Sequence, residues 1–393
     1  MRKISVFLLV MMFLLVSCDV LEDWDDEDSE AYPAPAQDSG LSVESDEMAE
    51  AESSPGGVVS GPVSTQVDGL MSQFEDGPGG AVMVIQNGEI VHQNGYGLAN
   101  VEQDIPITPG TIFHLGSVGK QFTAMGVLIL VEQGQVDLDE PISAYIPELD
   151  WMDSDVTVRR LLHHTSGVMG YDDSDEIYDA LLEASETPGN EDVIRAISQS
   201  QEMLSEPGAE FYYSNTGYDL LGSLIERVSG QTYARFMDAN VFAPLGMKNT
   251  FALPNDRRFG GNTAESYDEN GPYQADALDN LNGSGSIYST VGDMYLYDQA
   301  LYTEKLISQA LLDEMFTSGV LNNGKETGYG FGFDVTTHAG YNYVGHQGNW
   351  LGFDAYYLRF PEEKLSVVVL LNLDYAEQDS EKIAFAVADL YLR

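Results

Sequence analysis

Residues 111–130, TIFHLGSVGKQFTAMGVLIL, constrain the fold more than any other stretch of the chain. An extended entry meets Gly116, and a helix is expected to open at Ser117 and stay apolar for most of its length. A helix apolar nearly all round has to be buried, so the other elements must be arranged about it. Ser117 and Lys120 are three apart, so on a helix their side chains share a face and can meet. Ser117 falls in the first turn, where unpaired N–H groups and the positive dipole end favour a developing negative charge. The chain has seven lysines, and Lys120 is the only one between Lys3 and Lys248. Burial among Phe122, Met125 and Leu128 would lower its pKa and let it accept a proton near neutrality. A serine beside such an amine is a nucleophile activated without histidine. Alone, the pair is also readable as a helix cap followed by a snorkelling lysine, so its partners elsewhere decide the matter.

Both ends of the globular part supply strands. Residues 80–97 form two strand-like runs around Asn87-Gly88, the strongest short hairpin signal. Residues 352–373 form another pair turning at Pro361 to Lys364, and Ala376 to Leu392 reads as a closing helix. These are expected to share one antiparallel sheet. Residues 138–285 read as mostly helical, with stretches such as Glu191 to Gln201 and Tyr218 to Val228 between Gly, Pro and Asp-rich loops. The predicted class is α+β, an antiparallel sheet flanked by helices with a helical insertion and a cleft between the two parts.

The acid excess limits the partners. There are 64 Asp and Glu against 17 Lys and Arg, a net charge of −47. Such a surface repels phosphate and anionic lipid heads, which excludes nucleic acid and a peripheral membrane role. Its self-repulsion is relieved by salt, so salt adaptation is expected.

Residues 1–18 read as a targeting segment: Arg2 and Lys3, an apolar run from Ile4 to Val16, then Ser17-Cys18. Leu15-Val16-Ser17-Cys18 resembles the lipobox of bacterial lipoproteins, which implies lipidation of Cys18, the only cysteine. The expected location is therefore the cell envelope, anchored at Cys18 and facing the periplasm or exterior, with the lipid as the only membrane contact. Residues 19–65 carry 14 acids and no base and read as a disordered tether. Folded structure is expected from about Val67.

Two later stretches supply partners for the Ser-Lys pair. In EFYYSNTGYDLLG, residues 210–222, Tyr213 offers a phenol for proton exchange and Asn215 a donor and an acceptor, before a helix opening near Thr216. In YVGHQGNWLGF, residues 343–353, a strand is expected to end at His346, with Gly348 and Asn349 letting backbone approach a ligand. A backbone N–H there, with that of Ser117, is a candidate oxyanion hole. His163-His164 lacks the spacing of a metal site, and no cofactor is expected.

Ser117-Val118-Gly119-Lys120, Tyr213-Ser214-Asn215 and His346-Gln347-Gly348 occur in the order and approximate spacing of the serine β-lactamase and penicillin-binding-protein clan. The chain looks most like the class C branch, and LLHHTSGV (161–168) and GHQGNWLGF (345–353) resemble stretches recurring there. The resemblance covers about residues 66–393. It implies Ser117 as the acylated nucleophile, Lys120 as its proton partner, and Tyr213 as general base or acid. Asn215 would orient Lys120 and the substrate, and the N–H groups of Ser117 and Asn349 would form the oxyanion hole. His346, Gln347, Gly348 and Asn349 would line the substrate.

The β-lactamases carry a lysine where His346 stands. Histidine is mostly neutral at pH 7, which points away from carboxylate-bearing antibiotics and towards esters, small amides or peptides. The competing readings are a true β-lactamase or D-alanyl-D-alanine carboxypeptidase, and a non-catalytic lipid-anchored binding or penicillin-sensor domain.

Overall fold

A computed structural model describes residues 61–253, 262–273, 276–374 and 376–392. The expected signal peptide, Cys18 and nearly all of the tether lie outside the described residues. The tether's last residues do not: helix α1 (Pro62–Met71) starts five residues before Val67, with Pro62 in its first turn and Ser64 buried.

Six antiparallel strands make the main sheet: β1 (Gly80–Gln86), β2 (Glu89–Tyr96), β3 (Asp334–His338), β4 (Tyr341–Trp350), β5 (Phe353–Phe360) and β6 (Leu365–Leu371). Their spatial order is β3-β4-β5-β6-β1-β2, so the two chain ends meet where Gly80 pairs with Leu371 and Gln86 with Leu365. Asn87 (φ 54°) and Gly88 (φ 81°) turn the first hairpin in the left-handed region, as the Asn-Gly pair predicts.

Strands β1 and β6 read as unbroken apolar runs because both faces are covered. Val82 and Val84 face α1 and the closing helix α5 (Ser380–Tyr391), whose Ile383, Ala384 and Val387 fill that side. Ala81, Met83 and Ile85 face the larger core, which holds α2 (Lys120–Glu132), α3 (Asn215–Ser229) and α4 (Val291–Ala300). In α2 every residue from Lys120 to Leu130 is buried, in keeping with the all-round apolar pattern. Among its described residues, the region 138–285 holds Asn190–Ser200 and α3 with shorter helices and three two-residue strands. No described helix is long and apolar enough to cross a membrane.

Two local expectations are corrected. Ser117 does not open an α-helix: Gly116–Gly119 is a 3₁₀ turn and α2 starts at Lys120. Gly116, at φ 52°, sets the chain's direction into that turn. Strand β4 does not end at His346 but runs through Gly348 and Asn349 to Trp350, because β5 pairs with it from Val344 to Trp350.

Candidate active site

Three segments meet at the C-terminal half of β4. The 3₁₀ turn carrying Ser117 lies directly on the Gly348-Asn349 peptide. A Cβ at Gly348 would lie 2.0 Å from the Leu115 carbonyl oxygen, and one at Gly116 would lie 2.7 Å from the Asn349 nitrogen. The two glycines are what let turn and strand touch. Strand β3 pairs with β4 only from Tyr341 to Gly345, so the edge beyond His346 is left for this turn.

Helix α3 brings the second segment. Its cap is Ser214, whose Oγ accepts the Gly217 N–H at 3.1 Å. Capping by Ser214 leaves the neighbouring amide of Asn215 free to face the site. Its Oδ1 accepts a 2.8 Å hydrogen bond from Lys120 Nζ, and its Nδ2 donates to Asp172 Oδ2 at 3.1 Å.

Lys120 is the hub. Its Nζ donates to Ser117 Oγ at 3.0 Å, to Asn215, and to the Ser284 carbonyl at 2.7 Å. It also lies over the faces of Tyr213 and Tyr218, 4.8 and 5.7 Å from the ring centroids. Burial pushes its pKa down to about 7, against the upward pull of Asp219 and then Asp172. Burial holds the Tyr213 phenol protonated well past neutrality, with Ser117 acting against that shift. Ser117, Lys120, Tyr213 and Asn215 are thus brought together.

His346 is placed differently from the reading of it as a substrate-binding group. It is buried, with Nε2 paired to the Tyr329 hydroxyl at 2.9 Å and Nδ1 to the Gln347 carbonyl. Burial first, and the Lys120 charge second, push its pKa to about 3, so it is neutral. Gln347 faces the opposite side of the sheet, where its Nε2 donates to Asp354 Oδ1 at 3.2 Å, because side chains alternate along a strand. Gly348 serves the backbone approach. Of the four residues expected to line the substrate, Asn349 alone borders the cavity over Ser117.

That cavity has a volume of about 60 Å³ and is bordered by Ser117, Asn215, Asn349, Tyr171, Ser284 and Trp350, with His114, Leu278, Asp279 and Leu281 around them. Asp279 is the one charged side chain among these, and it accepts the Trp350 indole N–H at 2.7 Å. No group of metal-ligating side chains occurs among the described residues.

Several site residues escaped the sequence reading. His164, at φ 56°, is buried against Tyr213 with ring centroids 4.3 Å apart, and its Nδ1 accepts the Ser214 N–H at 3.2 Å. His164, in the LLHHTSGV stretch, thereby backs the phenol. Ser284 lies in LNGSGS (281–286), a run of small residues that could have signalled close packing. A Cβ at Gly283 would lie 2.1 Å from the Tyr218 carbonyl oxygen.

A family model described as beta-lactamase matches residues 67–392. Penicillin-binding protein 4* of Bacillus subtilis (strain 168) is 29% identical over 324 residues, covering 77% of this chain and 69% of that protein. The D-aminopeptidase of Gluconobacter oxydans (strain 621H) is 28% identical over 326 residues, 82% of this chain and 61% of that protein. The octameric penicillin-binding protein homologue from Pyrococcus abyssi superposes with a TM-score of 0.72 at 28% identity, over 84% of this chain and 76% of that one. A family match running from α1 to the end of the closing helix, over a core that buries Lys120 against Ser117, leads to one conclusion: this chain belongs to the beta-lactamase family and is a serine hydrolase.

Proposed function

We propose that the chain hydrolyses esters or small amides through a covalent acyl-enzyme on Ser117. The observation that carries this is the 3.0 Å contact from the fully buried Lys120 Nζ to the half-buried Ser117 Oγ at the cavity. Ser117 Oγ attacks the substrate carbonyl carbon as its proton passes to Lys120, whose amine titrates near neutrality. The backbone N–H groups of Ser117 and Asn349 receive the oxyanion of the tetrahedral intermediate. Tyr213, held as a phenol, hands a proton to the departing alcohol or amine as the C–O or C–N bond breaks. Asn215 fixes Lys120 and the acyl carbonyl. Water then attacks the Ser117 ester by the reverse proton path and releases the acid.

The narrow cavity, with no Lys or Arg among the described residues on its border, supports a small acyl group without a carboxylate. A neutral His346 supports the same choice over a β-lactam or a C-terminal D-alanine peptide. Asp279 on the border favours a second reading, small amides bearing a free amine, and the D-aminopeptidase relative supports it.

The test is a panel of p-nitrophenyl esters, D-amino-acid amides and nitrocefin, run in salt against Ser117→Ala. Ester or amide turnover lost in the variant is expected. A stable adduct without turnover would favour a sensor, and nitrocefin as the best substrate would overturn the choice of substrate. We further propose that Cys18 carries a lipid anchor to the cell envelope, as the lipobox-like sequence suggests.

A further inference from the structure

Asp219 lies one turn beyond Asn215 on α3 and is completely buried. Its Oδ1 accepts the Ser284 N–H at 3.0 Å, and the carbonyl of the same Ser284 accepts Lys120 Nζ at 2.7 Å. A single residue therefore hangs between carboxylate and amine, with one backbone group turned to each. Asp219 Oδ2 is buried without a hydrogen-bond partner among the described residues. A buried carboxylate left half-satisfied calls for a counter-charge, and Lys120 is the cation that acts on it.

The surrounding groups leave that pairing clear. Around Lys120 stand Ser117 on its own turn, Tyr213, Asn215, Tyr218 and Asp219 from α3 and its lead-in, and Ser284; the more distant Asp172 also acts on it. His164 and His346 feel its charge and are neutral through burial. Around Asp219 the other titratable groups among the described residues are Asp172 and the phenols of Tyr171, Tyr213 and Tyr233, none of which can carry a positive charge.

We propose that Asp219 is a positioning residue for catalysis: it is the buried counter-ion of Lys120 and, through the Ser284 peptide, aims that amine at Ser117. This rests on the reading of Ser117 and Lys120 as nucleophile and proton partner. Its consequence is a pH setting. Without the anion, the desolvated ammonium gives up its proton at lower pH, so the neutral amine persists into more acid solution.

The experiment follows the rate at which a fluorophosphonate labels Ser117, from pH 4 to pH 9, in the whole folded chain; these limits are roughly those spanning both partners' titration. Asp219→Asn keeps an acceptor for the Ser284 N–H and removes the charge. Its acid limb is expected to move down by about one pH unit, so that where the wild type labels at a tenth of its plateau the variant labels at about half of its own. Asp219→Glu keeps the charge and should keep the wild-type midpoint, even with a lower plateau. If the Asn variant fails to fold, Asp219→Ser carries the same test. Coincident midpoints for the wild type and the folded uncharged variant would overturn the proposal, as would a shifted midpoint in Asp219→Glu. A wild type that takes no label at all would instead overturn the hydrolase reading beneath it.

Discussion

Lys120 and Asn215 stand 95 residues apart in the chain and 2.8 Å apart in space. One opens the buried central helix and the other opens α3, and the Ser214 cap is what frees the Asn215 amide for this contact. Asn215 also reaches Asp172, so it links the buried amine to the polar rim.

Asn215→Ala removes that link while leaving the Ser214 cap intact. We predict a loss of about 10²–10³-fold in kcat/KM, the scale of losing one preorganised hydrogen-bonding side chain. The thermal midpoint should change by only a few degrees, as roughly 1 kcal/mol or less is expected when a cap survives. Steady-state kinetics beside a thermal melt separates the two effects.

Gly348→Ala tests the close approach of turn and strand. The added methyl would lie 2.0 Å from the Leu115 carbonyl oxygen and 2.8 Å from the Ser117 nitrogen, both backbone atoms that cannot swing aside. Overpacking of this kind costs about 1–3 kcal/mol, and the displaced turn carries Ser117 with it. A chemical-denaturation midpoint should fall, and activity should fall much further than stability.

Much of this arrangement was legible in the chain because it depends on local chemistry. Asn87-Gly88 announces its turn, and the apolar length of α2 announces burial. Ser117, Lys120, Tyr213 and Asn215 are marked by residue type and order. What escaped was set by partners far away in sequence. His346 reads as a ligand-facing group, but Tyr329 and the packed sheet make it a neutral core residue. Gln-Gly-Asn after it reads as loop, yet β5 extends the strand through those residues. Asp219 looks like a surface residue of an amphipathic helix until Ser284 and Lys120 are placed against it. Pro62 reads as tether because the low-complexity composition fades gradually there.

Buried histidines set the acid side of stability. His114 and His346 are pushed to about 3 and His163 to about 4, chiefly by burial. Folded pKa values below the usual 6.5 mean that the unfolded chain binds more protons between about pH 6.5 and pH 3–4. Their contribution is fully present above pH 6.5 and is lost as pH falls through that window. Asp219, pushed up by burial against the pull of Lys120, and Asp334, raised to about 6, work in the opposite direction. The clean readout is therefore a difference: His346→Gln should make stability fall less steeply between pH 6 and pH 4, by about one proton's worth of slope. Parallel curves for variant and wild type would contradict this.

Salt should stabilise the protein. With a net charge of −47, like-charge repulsion acts across the surface at low ionic strength. Raising salt from about 0.01 M to 1 M shortens the screening length from about 30 Å to about 3 Å, so the melting temperature should rise steadily. A melt that stays fixed or falls over that range would remove the salt-adapted reading.

The central claim, that Ser117 is a nucleophile activated by Lys120, is tested most directly by rapid-quench mass spectrometry with p-nitrophenyl acetate. The account predicts one acetyl group on the peptide containing Ser117, formed at least about 100-fold more slowly in Lys120→Ala. Acetyl found on another residue, or formed at the wild-type rate without Lys120, would contradict it.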